Sequence, residues 1–182
     1  MVVVNGRRLL DEPKCKTALD VMRATPDLSQ LAELVPTLTP KLRDALSSTD
    51  GADLTFFAPT NGAFAALKAA LPDGAYIKLM GNGTMLTALL SYSIVPGKRL
   101  DTSMLGATPL RTALGDVVSP LSVDRGSMLQ GVGSRASVVK GNIQACHATL
   151  HATDNVLFPV PMPTGSALSD AVDKMKSTVA QG

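Results

Sequence analysis

Apolar residues in the first half of the chain recur at every third or fourth position, which is the spacing of a helix that buries one face. Such stripes run through residues 17–25, 28–35 and 40–46. Asp27 is placed to cap the second segment, and Thr39 followed by Pro40 is typical of a helix start. The pattern therefore predicts three short helices in succession.

The middle of the chain combines one strand with further helices. The apolar run 54–58 predicts a short strand that Pro59 ends. Thr60 or Asn61 then caps a helix that continues to Ala70. After it the pattern predicts a short turn or helix at 76–80, a helix at 84–91 and an extended segment at 92–95.

The second half of the chain changes to short apolar runs separated by Gly, Pro, Asp and Ser, a pattern typical of strands. The runs begin near residues 110, 117, 121, 128, 137, 143, 149 and 156. Strands spaced so closely fit a sandwich or a curled antiparallel sheet. Because the helices come first and the strands follow, we predict an α+β fold with about seven short strands, and not alternating βαβ units.

The predicted domain occupies residues 15–161 and follows an N-terminal extension, 1–14. A proline-rich stretch from Pro159 marks its end, and the tail 162–182 suits an extra docked helix, the start of a linker or the start of a further domain. Apolar residues at helical spacing in the tail are Ala167, Leu168, Ala171, Val172 and Met175. At the other end, the arginine pair follows the apolar stretch, which is not the order of a signal peptide. Two alternatives remain: an intracellular protein, or a chain whose signal has been removed.

Composition limits the classes of function. Of the 182 residues, 45% are apolar and 18% are charged, which indicates a globular protein. A formal net charge of +2 is too small for binding nucleic acid through its phosphates. Aromatic residues make up 3% and tryptophan is absent, which disfavours sites that stack bases or sugars on rings. No apolar run approaches the ~20 residues that a membrane span needs.

Catalytic chemistry has no clear signature in this sequence. No serine lies in a Gly-x-Ser-x-Gly elbow. The glycine-rich segments 81–83 and 131–133 lack both the lysine of a phosphate loop and the full dinucleotide fingerprint. We therefore predict no catalytic residue and no cofactor.

One cluster has the residue types of a metal site: Cys146, His147, His151 and Asp154. The segment has the pattern of a strand, in which Cys146 and His147 point to opposite faces. His147 and His151 share a face but lie ~13 Å apart, too far to bind one ion. We therefore predict no metal site, with one histidine buried beside a hydrogen-bond partner and the other exposed.

Cys15 and Cys146 either pair with each other or are small buried hydrophobic residues. They form no C-x-x-C motif, so a zinc knuckle or a thioredoxin-type site is not indicated. A bridge between them would close a loop of about 130 residues and stabilise the fold by roughly 4–5 kcal/mol. A candidate N-glycosylation site is present at Asn82, in the triplet Asn82-Gly83-Thr84.

Three segments together resemble the signature blocks of fasciclin domains. Residues 55–64, TFFAPTNGAF, resemble the block T-x-F-A-P-T-N-x-A-F. Residues 142–145, NIQA, together with residues 150–159, LHATDNVLFP, resemble a second block with the core apolar-His-x-x-Asp-x-Val-Leu-x-Pro. Between them, residues 89–97, LLSYSIVPG, resemble Leu-Leu-x-Tyr-His-x-Val-Pro-Gly. The resemblance covers about residues 15–161 and holds in both order and spacing.

The resemblance implies a fasciclin-type fold in which the motif residues are scaffold. His151 resembles a buried histidine of the family that is expected to hydrogen-bond the first block, while Leu150, Val156 and Leu157 are expected to fill the core. The motif residues expected to act as scaffold are Thr55, Phe57, Ala58, Pro59, Thr60, Asn61, Phe64, Tyr92, Pro96, Gly97, His151, Asp154, Val156, Leu157 and Pro159. Ser93 stands where the family has a histidine, in a stretch implicated in integrin binding by some animal relatives. This difference argues against integrin recognition by that route.

The resemblance also implies an extracellular or cell-surface adhesion and matrix module. Such a module binds protein or glycan partners, or a second copy of itself, and is not an enzyme. This context favours a removed signal, a Cys15–Cys146 disulfide and glycosylation at Asn82. Two other functions stay open: a carrier of a small apolar ligand, and a hydrolase or metalloenzyme around His147 and His151. The carrier's groove would be lined by Met80, Met85, Leu86, Met104 and Met128.

Overall fold

Helices fill the first half of the chain in the computed structural model, which describes residues 15–72, 74–106, 108–115, 117–123 and 126–159. The α-helices within these ranges are α1 Ala18–Ala24, α2 Ser29–Leu34, α3 Pro40–Ser47, α4 Asn61–Ala70, α5 Ala75–Met80 and α6 Gly83–Ser91. Short 3-10 turns occupy Pro26–Leu28, Val35–Thr37 and Thr102–Met104. None of the helices described here is long and apolar enough to cross a bilayer. The predicted extension 1–14 and tail 162–182 lie outside the described residues.

Three of these α-helices begin at a side-chain cap from their own segment, namely α6 at Asn82 and the two described next. At α1, Thr17 and Asp20 form a reciprocal capping box, in which each side chain accepts from the other residue's backbone N–H. At α4, Thr60 is the cap, because its hydroxyl accepts from the Ala63 N–H at 3.2 Å. The prediction of Thr60 or Asn61 thus resolves to Thr60, which leaves the Asn61 side chain free for a distant contact.

That distant contact is at the start of α2. The predicted cap by Asp27 is wrong, because a 3-10 turn leads into this helix and the residue before it, Leu28, has no capping side chain. Asn61 provides the acceptor instead: its Oδ1 accepts from the Gln30 N–H at 3.0 Å. Its Nδ2 donates to the Pro26 carbonyl at 3.1 Å. One motif side chain therefore fixes α2 against the beginning of α4.

Seven strands, counted within the described residues, form one sheet in the order β2-β1-β7-β6-β5-β4-β3. Their bounds are β1 Leu54–Pro59, β2 Ile94–Pro96, β3 Leu110–Arg111, β4 Val117–Val123, β5 Gly126–Gln130, β6 Arg135–Gln144 and β7 Ala148–Thr153. The predicted α+β class is confirmed. The sheet is mixed rather than entirely antiparallel, because β1 and β7 run parallel. Parallel neighbours need a long connection, and along the chain α4 to α6 and β2 to β6 lie between these two strands.

The sheet curls until its two ends approach each other. Just after β3, the Ala113 N–H donates to the Ile94 carbonyl in β2 at 2.7 Å. β6 links the two halves of the curl, since it pairs with β5 through residues 135–137 and with β7 through residues 138–144. The predicted apolar run at 156–158 is buried but lies outside any strand.

Strand β1 separates two apolar clusters, and every one of its residues is buried. Successive side chains of a strand face opposite ways. Phe56 accordingly joins the main core with the helices, Phe64 and Leu150, whereas Phe57 joins a smaller cluster with Leu157. Leu157 therefore fills a different cluster from the one expected. Burial on both faces explains why this strand is a continuous apolar run and not an alternating one.

Candidate functional site

The parallel pairing of β1 with β7 brings the first and last motif blocks side by side. Phe57 lies opposite His151, and Pro59 lies opposite Thr153. Beyond the strands, the backbone N–H of Thr60 donates to the Thr153 carbonyl at 3.1 Å, and its hydroxyl donates to the same oxygen at 3.0 Å. The candidate site is therefore one continuous region of the sheet and not a set of separate loops.

His151 is the polar centre of this region and is fully buried, with 0% of its surface exposed. Its Nδ1 accepts from the Asn142 N–H at 3.1 Å, so the proton is on Nε2, which donates to the Leu100 carbonyl at 2.7 Å. Its ring stacks on Phe57 with centroids 5.6 Å apart. The predicted hydrogen bond to the first block is wrong, because both ring nitrogens are used elsewhere; the contact with that block is ring stacking. We call Phe57, Leu100, Asn142 and His151 the His151 cluster.

Burial lowers the pKa of His151 below its ordinary value of 6.5, because the charged ring would lose its hydration. The hydrogen bond to the Leu100 carbonyl and the nearby Asp101 carboxylate oppose this shift without reversing it. Since the ring donates one hydrogen bond and accepts another, the neutral form satisfies both contacts. Protonation of Nδ1 would point its N–H at the N–H of Asn142, so that two donors would face each other without an acceptor.

We expect the protein to lose stability as the pH falls below about 6.5. With a lowered folded-state pKa, the unfolded chain takes up the proton first, so the stability contributed by His151 is complete above pH 6.5 and declines below it. One such group gives a slope of at most about 1.4 kcal/mol per pH unit. Urea unfolding at pH 7.5, 6.5 and 5.5 measures it, with His151→Gln as the non-titrating control. Parallel pH curves for the two proteins would contradict the expectation, since His147 is common to both.

Polar residues around the His151 cluster hold the loop that follows β2. The Thr55 hydroxyl donates to the Lys98 carbonyl at 2.8 Å and accepts from the Leu100 N–H at 2.9 Å. Asn142, which has a positive φ of 59°, exchanges hydrogen bonds with Thr102 through its side-chain amide. These contacts present the Leu100 carbonyl to the histidine. Sequence reasoning placed Asn142 at the start of the second motif block but gave it no role of its own, although its residue type tolerates the left-handed region better than most.

The remaining polar motif residues also bind the backbone of neighbouring segments. The Tyr92 hydroxyl accepts from the Val132 N–H at 3.0 Å, in the turn between β5 and β6. A carboxylate oxygen of Asp154 accepts from the Ser137 N–H at 2.7 Å. Gly97 follows Pro96 at the end of β2 with a φ of 81°, which glycine adopts without strain. Each of these side chains or turns joins two strands or loops.

Ser93 is the exception among the polar residues of this region. Its side chain is 1% exposed, and its hydroxyl has no hydrogen-bond partner among the residues that the structure describes. Ser134 provides a matched comparison, because its hydroxyl donates to the Val156 carbonyl at 2.7 Å and accepts from the Phe158 N–H at 2.9 Å.

Ser93→Ala is expected to leave the free energy of unfolding unchanged or raise it by about 1 kcal/mol, because it removes a buried hydroxyl without a partner. Ser134→Ala is expected to lower it by about 1–3 kcal/mol, because two backbone groups lose their partner. Urea unfolding of both variants tests the contrast. Equal losses for the two would show that the Ser93 hydroxyl contributes to stability.

The disulfide predicted from the resemblance is present. The sulfur atoms of Cys15 and Cys146 are 2.05 Å apart, and the Cα atoms are 5.0 Å apart. The Cys146 N–H donates to the Lys16 carbonyl at 2.9 Å. Arg99 donates from its guanidinium to the Cys146 and Ala145 carbonyls at 3.1 and 3.2 Å. The bridge thus anchors the chain before α1 to the turn between β6 and β7. Arg99 was not predicted, and one arginine among polar residues gives no sequence signal for this role.

The candidate metal ligands are not brought together. Cys146 is in the disulfide, and Asp154 binds Ser137. Contrary to the prediction of one exposed histidine, His147 is also buried, with its ring nitrogens 3.0 Å from the Ala52 carbonyl and 3.1 Å from the Ser48 carbonyl. No group of three potential ligands converges anywhere in the described ranges.

The residues proposed for an apolar-ligand groove do not share one groove. Met85 and Leu86 are buried in the main core, whereas Met104 is 61% exposed on its 3-10 turn. The described residues do form a different cleft of about 450 Å³, which we call the α4 cleft. It is lined by Ala66, Leu67, Ala70, Gly133, Ser134, Arg135, Asn155 and Val156. None of the methionines expected to bind a ligand borders it.

Asn82 has a local structural role at the candidate glycosylation site. Its Oδ1 accepts from the Met85 N–H at 3.0 Å and so caps α6, while Thr84 is exposed. A side chain at Gly83 would collide with the Thr37 carbonyl oxygen, so this position of the triplet requires glycine. Glycosylation at Asn82 stays a prediction.

Comparison with known proteins identifies the family. A model of the Fasciclin domain matches residues 26–159. Immunogenic protein MPB70 of Mycobacterium bovis is 33% identical over 135 residues, which are 74% of this chain and 64% of MPB70. Cell surface glycolipoprotein MPB83 of the same species is 28% identical over 142 residues, 76% of this chain and 60% of MPB83. The match thus spans less than two thirds of either relative.

A solved structure agrees with this assignment. The fold is similar to that of a FAS1 domain pair from the insect cell adhesion molecule fasciclin I, with a TM-score of 0.67 and 16% sequence identity. The similarity covers 78% of this chain and 50% of the insect chain. At this level of identity the likeness concerns the fold alone. From the family match and its relatives, we conclude that the chain belongs to the fasciclin domain family.

Proposed function

We propose that this domain is an extracellular or cell-surface adhesion and matrix module that binds protein or glycan partners through its outer surface, without catalysis. The observation that carries the proposal is the engagement of the motif residues in the fold. His151, Thr55, Tyr92 and Asp154 each bind backbone groups of neighbouring segments. Residues occupied in this way hold the scaffold, so partner recognition falls to the exposed surface.

The names of the relatives and the disulfide support this location. MPB83 is a cell surface glycolipoprotein, and the insect protein of similar fold is a cell adhesion molecule. Disulfides such as Cys15–Cys146 persist in oxidising compartments outside the cytosol. The net charge of +2 gives no electrostatic reason to expect nucleic acid as a partner.

The exposed apolar residues suggest weak contacts that act together. Ile77 is 74% exposed on α5, Met104 is 61% exposed on its 3-10 turn, and Val139 is 59% exposed on β6. They lie on three separate elements, so each offers a small contact. Display of several copies on one surface would then supply the avidity that a single copy lacks.

Binding by coated beads tests the proposal. Beads that carry many copies of the chain are expected to aggregate with each other, or to bind arrays of matrix proteins and glycans at least about a hundredfold more tightly than the free monomer does. Ile77→Ser and Met104→Ser are expected to weaken that binding, with Ala65→Ser, at another exposed position, as the control. Beads that neither aggregate nor bind any array spot would overturn the proposal.

A further inference from the structure

The α4 cleft presents apolar surface at the outside of the fold. One wall is formed by α4 through Ala66, Leu67 and Ala70. The opposite wall contains Val156. Val132, which precedes the cleft residue Gly133 in the turn between β5 and β6, is 55% exposed. A cleft of about 450 Å³ with these walls accommodates several aliphatic side chains.

The uncharged polar side chains of the cleft are already hydrogen-bonded within the protein. Ser134 uses its hydroxyl both to donate to the Val156 carbonyl and to accept from the Phe158 N–H. Asn155 donates from Nδ2 to the Arg135 carbonyl at 3.0 Å and accepts from the Val156 N–H at 3.0 Å. A polar ligand would have to displace these bonds, whereas an apolar occupant leaves them intact. The chemistry therefore favours an apolar occupant.

The chain itself leads from this cleft into an apolar segment. The Gly133 N–H, in the cleft wall, donates to the Phe158 carbonyl at 2.9 Å, and the described chain ends one residue later at Pro159. The stretch from Pro159 to Ala167 spans at most about 27 Å when extended, which is enough to turn back to α4. A segment tethered so closely has an effective concentration in the millimolar range.

We propose that residues 166–175 dock in the α4 cleft as an amphipathic helix. Their apolar face would consist of Ala167, Leu168, Ala171, Val172 and Met175, which recur at helical spacing. Alanines at 66 and 70 on one side, and at 167 and 171 on the other, allow the two helix backbones to approach closely.

Hydrogen exchange of the full chain tests the docking, because a docked helix protects its amides. Amides within 166–175 are expected to exchange at least about tenfold more slowly than those of an isolated peptide of the same sequence. Leu168→Asp in the tail and Ala66→Glu in the cleft should each reduce that protection to within about twofold of the peptide. Amides of β1 and β7 in the same samples report whether the domain remains folded.

Two matched variants separate docking from a general effect of charge. Ser169→Asp changes the tail outside its apolar face, and Ala65→Glu changes α4 outside the cleft lining, so both should retain full protection. Tail amides that exchange at the rate of the peptide in the unmodified chain would overturn the proposal. So would protection that survives Ala66→Glu, since the helix would then lie elsewhere.

Discussion

Removal of the Cys15–Cys146 disulfide by the double substitution Cys15→Ala and Cys146→Ala is expected to lower the free energy of unfolding by about 2–5 kcal/mol. The bridge closes a loop of sequence separation 131, and a longer closed loop restricts the unfolded chain more. Loop entropy alone gives a value near the upper end of this range, about 5 kcal/mol. Urea unfolding of the variant and the unmodified chain measures the difference.

Reductant provides the control for this prediction. It should destabilise the unmodified chain by the same amount and leave the double variant unchanged. Intact mass after alkylation should show that both thiols react only after reduction. A loss below about 0.5 kcal/mol, which is the range of a neutral surface substitution, would contradict the expected role of the bridge.

Some local structure is expected to persist in the double variant. The Cys146 N–H still has the Lys16 carbonyl, and Arg99 still binds the Cys146 carbonyl. The turn between β6 and β7 should therefore keep its native conformation. Hydrogen exchange is expected to show faster opening at α1, which begins just after Thr17, than at β7.

Phe57→Ala is expected to lower the free energy of unfolding by about 3–5 kcal/mol. Phe57 is 1% exposed on the central strand β1 and packs in the smaller apolar cluster. The substitution leaves a cavity beside His151, whose ring stacks on Phe57 in the native fold. Thermal or urea unfolding measures the loss, and Ile77→Ala, at a position 74% exposed, should change stability by no more than about 0.5 kcal/mol.

A second variant separates the volume of Phe57 from its stacking. Phe57→Leu retains most of the apolar volume, so its loss should be clearly smaller than that of Phe57→Ala. A double-mutant cycle with His151→Gln is expected to give a coupling energy of about 0.5–1.5 kcal/mol, the range for stacked rings. Zero coupling would show that the contact contributes only through buried area.

Much of the local structure could be predicted from the sequence because it depends on interactions over a few residues. The apolar stripes predict α1, α4 and α6 within a residue or two, since helical spacing repeats every turn. The predicted cap at Thr60 or Asn61 is of the same kind, since the Thr60 hydroxyl accepts from an amide only three residues ahead. The motif blocks and their order likewise indicate the family before any contact is known.

The contacts between distant residues could not be predicted in the same way. Asn61 satisfies the start of α2 across a sequence separation of 31, and His151 reaches Leu100 across 51. Composition gives no local sign of either partner, so the predicted cap by Asp27 and the predicted histidine contact were wrong. The parallel direction of β1 and β7 could not be predicted either, because a long connection permits either direction.

The sequence by itself determined the helical stripes, the α+β class, a cap at Thr60 or Asn61, and the family blocks, because each depends on residues close together along the chain. Only the tertiary structure decided that Cys15 pairs with Cys146, that the histidine is held by Leu100 and Asn142, and that the sheet is mixed. The physical reason is that most of these contacts join distant segments, across a sequence separation of 131 for the disulfide and 51 for the contact with Leu100. Their energy depends on a geometry that no short stretch of sequence specifies.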